Sequence, residues 1–221
     1  MNIQFRARIP SFFAMLPRGE KQMQVSAVPI MFAVLLAMLS PNRTVADDDL
    51  SSYKQPQCNA NPEEQLKPFL AEFGLTELPE PFVPPGITFA LAVQTGKLLY
   101  LSGTGPSLPG GGFITGKVPT TLPESDAQKA ARLTAINLLA VIKKEAGSLK
   151  QVKRIVKLFG MVNAEPIYTN HPKIINGASD LLVAVFGECG YHARSAVGMA
   201  SLPFGIPVEI DMVVELKDKR N

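Results

Sequence analysis

The chain has 221 residues, 46% hydrophobic and 19% charged, with a formal net charge of +3. That length and apolar content suit one packed domain with an extension. The positive balance lies in residues 1–46, where Arg6, Arg8, Arg18, Lys21 and Arg43 face Glu20 alone; residues 47–221 are near neutral, which speaks against binding nucleic acid through its phosphates.

The first element is "VSAVPIMFAVLLAML" (Val25–Leu39), an uncharged run preceded by basic residues. It is shorter than the about twenty residues a membrane span needs and reads as the hydrophobic region of a signal peptide. "TVA" (Thr44–Ala46) supplies small residues for cleavage, so export to a periplasmic or secreted location is expected. An uncleaved N-terminal anchor, which would be the chain's membrane contact, and an organelle transit peptide remain as alternatives. The "NRT" sequon at Asn42 falls inside this leader and is set aside.

Residues 47–78 read as linker and lead-in, and residues 79–221 as the folded domain. Pro56, Pro62, Pro68, Pro79, Pro81, Pro84 and Pro85 punctuate the approach. "PEEQLKPFLAEFGL" predicts a short helix broken at Pro68. Two cysteines, Cys58 and Cys189, make no disulfide framework. Cys189 reads as a buried small hydrophobe and Cys58 as an incidental thiol, with a single bridge open to an exported chain.

In the body, "ITFALAVQTGKLLYLSG" (Ile87–Gly103) predicts two strands around Thr95-Gly96. "GGFITGKV" predicts a third. A helix follows, capped by Ser125 or Asp126 and stopped by Gly147, with Ala131, Ala135, Leu138, Leu139 and Ile142 facing inward. "VKRIVKLFGMVN" (Val152–Asn163) predicts a fourth strand. "NHPKIINGASDLLVAVFG" predicts a second helix, with Pro172 in its first turn and Ile175, Ala178, Leu182 and Val185 inside. "HARSAVGMASLPFGIPVEIDMVVEL" (His192–Leu216) predicts two strands joined around "LPFGIP". The order β-β-β-α-β-α-β-β predicts an α+β fold, a mixed sheet with both helices on one face.

Few residues carry chemistry. Gly111, Gly116 and Lys117 satisfy part of a P-loop, but Val118 stands where Ser or Thr is needed and Pro119 blocks the helix, so a glycine-rich loop is expected. The two histidines, His171 and His192, have no metal-ligand spacing, and no metal or cofactor is expected. Cys189 and His192 sit three apart, which on a strand points them to opposite faces. The lysines 143, 144, 150, 153 and 157, with Arg154, read as a solvated face around the end of the first helix.

Arg194 stands apart, a guanidinium in a row with Ala196, Gly198 and Ala200. Small neighbours leave space beside it, as a pocket for a small carboxylate requires. The alternative is a structural pair with Glu209 or Asp211. In a hairpin turning near Phe204, Arg194 would lie roughly 15 Å along from the residue opposite Glu209.

"LLYLSGTGP", "NLLAVIKKEAGSLKQVKRIVKLFGMVN" and "NGASDLLVAVFGECGYHARSAVGMASLPFGIPVEI", in that order, resemble the RidA/YjgF family, also called endoribonuclease L-PSP-like, with a chorismate-mutase-like fold. The resemblance spans about residues 79–216. It implies a homotrimer with small-ligand sites between subunits, and cofactor-free hydrolysis of enamines and imines of amino acids to a 2-keto acid and ammonia. It places the substrate carboxylate on Arg194 and the reacting water on Glu209. It assigns substrate contacts to Ser102, Asn176, Phe89 and Ala196. The chain departs from the family where Phe89 replaces a frequent tyrosine, Ala196 a frequent cysteine and Gly198 a common acid. The loop Ser107–Gly116 is longer than in small members. A non-catalytic, carboxylate-binding trimer and, less favoured, an endoribonuclease are the competing functions.

Overall fold

In the computed structural model of the chain, residues 56–86 and 88–218 are described. The expected leader, with its apolar run, cleavage site and sequon, lies outside them, as does 47–55. Among the described residues no helix is long and apolar enough to cross a membrane.

The first helix, α1 (Pro62–Glu72), starts with Pro62 in its first turn and Glu63 and Glu64 beside its positive end. It runs through Pro68 without breaking, contrary to the expectation. Proline forfeits one intrahelical hydrogen bond there, but Leu66 and Leu70, one turn apart, are buried in the main core. Tertiary burial of these two side chains overrides the local cost. The Glu63 carboxylate also accepts from the Ser148 hydroxyl (2.7 Å) and the Leu149 amide (3.1 Å). The helical part of the lead-in is therefore built into the domain.

Strands β1 (Ala92–Thr95) and β2 (Leu98–Thr104) form the expected hairpin. The third expected strand does not form. Its segment makes isolated bridges only, Ser107 with Phe113 and Val118 with Ala164, because glycines 110–112 close a tight loop in which Leu108 donates to the Gly112 carbonyl. Lys117 is spent structurally, donating to Asn163 Oδ1 (3.1 Å) and the Ala200 carbonyl (2.6 Å).

Helix α2 (Glu124–Ala146) ends at Gly147, whose φ of 81° places it in the left-handed cap. Its N-cap is Pro123, and neither Ser125 nor Asp126 caps it. All five expected inward residues are buried. Strand β3 (Val152–Asn163) has the expected bounds. Helix α3 (His171–Phe186) carries its expected inner face and stops at Gly187. Its Gly177 lies where a Cβ would overlap the Gln128 carbonyl of α2, so the two helices approach backbone to backbone.

Strands β4 (Ala193–Met199) and β5 (Val208–Leu216) complete a five-stranded mixed sheet in the order β1-β2-β5-β3-β4. They do not pair with each other, contrary to the expected hairpin. β4 lies at the edge, parallel to β3, while β5 inserts between β2 and β3, antiparallel to both. The cause is the β3-α3-β4 crossover, which returns the chain parallel to β3 and leaves the central slot for the last strand. Both long helices cover one face, onto which Val208, Ile210, Met212, Val214 and Leu216 of β5 point. The α+β architecture is as expected, with one strand fewer.

Cys58 and Cys189 form a disulfide, which corrects the reading of two unpaired thiols. Asn59, beside Cys58, donates from its side chain to the Ala184 and Val185 carbonyls at the end of α3. These bonds bring the two sulfurs together, a proximity that no spacing in the sequence expresses.

Candidate functional site

The expected site residues fall into two groups on opposite faces of the sheet. Arg194 lies on β4, half-buried, on the helix side. Its Nη1 donates to Asn176 Oδ1 (2.8 Å) and Ser179 Oγ (3.0 Å), both on α3. Those two residues are three apart and so project from one helix face. Among the described residues no carboxylate pairs with Arg194, so neither Glu209 nor Asp211 neutralises it. Among the described residues Nη2 and Nε have no hydrogen-bond partner, which leaves donors for an incoming anion.

The arginine is held by a directed chain of hydrogen bonds. His192 Nδ1 lies 2.7 Å from the Gly190 carbonyl, which can only accept. Nδ1 therefore carries the proton and Nε2 is an acceptor. Ser179 Oγ, 3.1 Å from Nε2, must donate to it, which turns its lone pairs toward the guanidinium. Burial pushes the His192 imidazole below its ordinary pKa; the Gly190 carbonyl opposes that shift and the Arg194 charge adds to it. The neutral ring this polarity requires is thus favoured.

The space beside Arg194 is smaller than the row of small residues implies. Ala196 packs against the core. At Gly198 a Cβ would overlap His171 Nε2. The imidazole from the start of α3 fills the volume that a side chain at 198 would take, which accounts for the glycine there.

The second group surrounds Glu209 on β5. Glu209 alternates with buried Val208 and Ile210, so its side chain stands on the face turned away from the helices, with β3 between it and β4. A bulge in β2 between Leu101 and Thr104 brings Gly103 against the carboxylate, where a Cβ would overlap it. Burial pushes the Glu209 carboxyl above its usual value, and the neighbouring Asp211 adds to the push. Asp211 is itself raised by burial, against the pull of Lys157. Lys157 donates to Ser195 Oγ (3.0 Å) on the same open face.

Phe89, Gly103 and Glu209 line one cavity of about 510 Å³. Ser102 lies outside its lining. Its hydroxyl donates to the Ala90 carbonyl (2.7 Å) and its amide to the Leu91 carbonyl (2.9 Å). Ser102 thereby pins the segment that carries Phe89. The structure brings together Arg194 with Asn176, and Glu209 with Phe89; it does not join the two sets within one chain.

Sequence reasoning missed Ser179 and the part played by His192. The signal was present in the three-residue spacing of Asn176 and Ser179 on a helix facing the arginine's strand. It also missed the cavity wall formed by Phe82, Phe113 and Phe204, which comes from three separated segments. Among the described residues no cluster of three or more His, Cys, Asp or Glu side chains is placed to hold a metal ion.

A five-stranded mixed sheet with two helices on one face and an arginine on its edge strand defines a chorismate-mutase-like α+β protein. Residues 73–216 match the family model described as "YjgF/chorismate mutase-like, putative endoribonuclease". The chain belongs to this family. It is 42% identical over 135 residues to protein TCP17 of Trypanosoma cruzi, covering 61% of this chain and 84% of that one. The crystal structure of the Atu1372 protein of Agrobacterium tumefaciens superposes with a TM-score of 0.62 at 39% identity, covering 71% of this chain and 95% of that one. A structure described as "a putative endoribonuclease" from Shewanella oneidensis gives 0.64 at 32% identity, covering 71% and 99%.

Proposed function

We propose that the chain forms a trimer in which Arg194 of one copy and Glu209 of the next enclose a small carboxylate, and that the site hydrolyses reactive imines and enamines of amino acids. The observation that carries this reading is the state of Arg194: a half-buried guanidinium without an acidic partner among the described residues, oriented by Asn176 and Ser179. A buried cation left unpaired costs free energy that a substrate carboxylate would recover.

In this reaction the carboxylate docks on Arg194, and a water held by Glu209 adds to the electrophilic C2 of the imine. Glu209 takes a proton from the water as the C–O bond forms and delivers it to the nitrogen. The carbinolamine then expels ammonia, leaving the 2-keto acid. One water is consumed and no electrons change hands. A carboxyl raised by burial is suited to taking up and returning that proton. Positioning supplies most of the acceleration.

The test follows decay of 2-iminopropanoate with the wild type and Arg194→Ala. Acceleration by the wild type, lost in the variant, is expected; a wild type that leaves the decay unchanged refutes the reading.

One observation favours a second reading, a binding trimer without turnover. Phe89 and Ala196 bring neither hydroxyl nor thiol, and the Ser102 hydroxyl is engaged by Ala90. Thermal shifts with 2-keto acids in the absence of imine turnover support it. The near-neutral body gives an endoribonuclease little electrostatic support. We also propose that the chain is exported; the Cys58–Cys189 bridge supports an oxidising compartment.

A further inference from the structure

Phe82, Phe89 and Phe204 are 43%, 54% and 64% exposed, and all three line the cavity that holds Glu209. Phe113 completes the wall. Its ring stacks on Phe204 (centroids 5.0 Å apart, planes at 8°) and meets Phe82 edge-on (5.0 Å, 86°). Exposed aromatic rings gathered at one cavity mark a binding surface.

We propose that this cavity is the side-chain pocket of the substrate, and that it selects 2-imino acids with a flat aromatic group over those with a methyl. The inference rests on the imine-hydrolase reading and names its substrate class. If Glu209 holds the attacking water, C2 must lie beside Glu209, and its substituent must enter the space Glu209 lines. That space measures about 510 Å³, within the roughly 300–1,000 Å³ typical of small-molecule sites. A methyl group leaves it nearly empty. An aromatic ring continues the stacked and edge-on geometry already present.

The pocket is also built in advance. Among the described residues Phe204 is the one non-glycine with positive φ (57°), a conformation its side chain disfavours. That turn aims its ring at Phe113. The Gly116 amide donates to the Gly205 carbonyl (2.9 Å), tying the turn to the loop that carries Phe113. Asn137 of α2 donates to the Gly105 and Ser107 carbonyls and to Ser107 Oγ (2.8 Å), fixing the same loop from below. A wall held at both ends binds a ring with little ordering cost.

The experiment is calorimetric titration of the full chain with phenylpyruvate and with pyruvate, the products of the two imine classes, which bind without turnover. Phenylpyruvate is expected to bind about 30-fold or more tightly, the gain from burying a ring. Phe204→Ala, at an exposed position, and Phe113→Leu are each expected to shrink that ratio about tenfold. Light scattering of each variant reports the oligomeric state. Equal affinity for the two acids overturns the proposal, as does a ratio unaltered by both substitutions. Variants that dissociate the oligomer also overturn it, because the rings would then serve a neighbouring copy. The outcome for the parent reading is separate: selective phenylpyruvate binding without hydrolysis of any imine upholds the pocket and removes the hydrolase. Hydrolysis of the alanine-derived imine with no discrimination between the acids does the reverse.

Discussion

Arg194 hangs from the edge strand on the helix side, and Glu209 stands on the other side of the sheet with β3 between them. A site that uses both residues therefore takes them from two copies. Arg194→Ala removes charge-assisted hydrogen bonds to a carboxylate, worth about 1.5–3 kcal/mol each, so at least a tenfold to hundredfold loss is expected. Glu209→Gln leaves the water without a base. Each variant alone is expected to keep no more than about a tenth of the wild-type rate. Equal amounts of the two, dissociated and reassembled, make mixed trimers. A working site arises where a Glu209→Gln chain supplies the arginine and an Arg194→Ala chain supplies the carboxylate. Random assembly in a ring of heterologous contacts gives about one quarter of all interfaces this composition. Keto-acid release from 2-iminopropanoate should return to about a quarter of the wild-type rate. A mixture as inactive as its parents, with mixed oligomers demonstrated by differently tagged chains, refutes the shared-site reasoning.

Ser179→Ala removes the acceptor that steadies Arg194 and the donor to His192. It should weaken 2-keto-acid binding about fivefold to tenfold, from about 1 kcal/mol per lost hydrogen bond, by calorimetry. The His192 pKa is lowered in the fold, so the native state binds fewer protons than the unfolded chain. Its stabilising contribution is present above its ordinary value of 6.5 and is lost as pH falls below it. Urea midpoints between pH 7 and 5 should fall more for the wild type than for His192→Gln; parallel curves contradict this. Cys58→Ser opens a loop spanning 131 residues, for which the chain-entropy model gives a loss of up to about 5 kcal/mol. A large fall in the urea midpoint is expected, and dithiothreitol should affect the wild type alone. Gly177→Ala forces a Cβ onto the Gln128 carbonyl and should cost about 2–4 kcal/mol, whereas Gly110→Ala, with open space around it, should change stability by less than about 0.5 kcal/mol.

The elements legible in the sequence were those whose burial pattern is local. α2, α3 and β3 announce themselves because one face of each is apolar along its whole length. The order of β4 and β5 was not legible. Alternation at Val208, Ile210, Met212, Val214 and Leu216 reads the same in a central strand as in an edge strand, and "LPFGIP" resembles a hairpin turn although the crossover through α3 dictates otherwise. Pro68 misled because its local penalty is visible while the burial of Leu66 and Leu70 is not. At the site, Arg194 was legible as a cation without a local partner. The lock that Ser179 and His192 place on it needed the third dimension, as did the gathering of Phe82, Phe113 and Phe204. Gly198 is a departure from the family pattern visible in the sequence, but its reason, the His171 imidazole, lies in the fold.

The cross-link between residues 58 and 189 also imposes an order of events on a growing chain. Cys58 emerges early and must wait for some 131 further residues before its partner exists. Until then its thiol is open to capture by any other thiol it meets. The clasp between α1's approach segment and the turn before β4 becomes possible once α3 has been synthesised, while β4 and the central β5 are still to come, so it can fasten a body whose sheet has only three of its five strands.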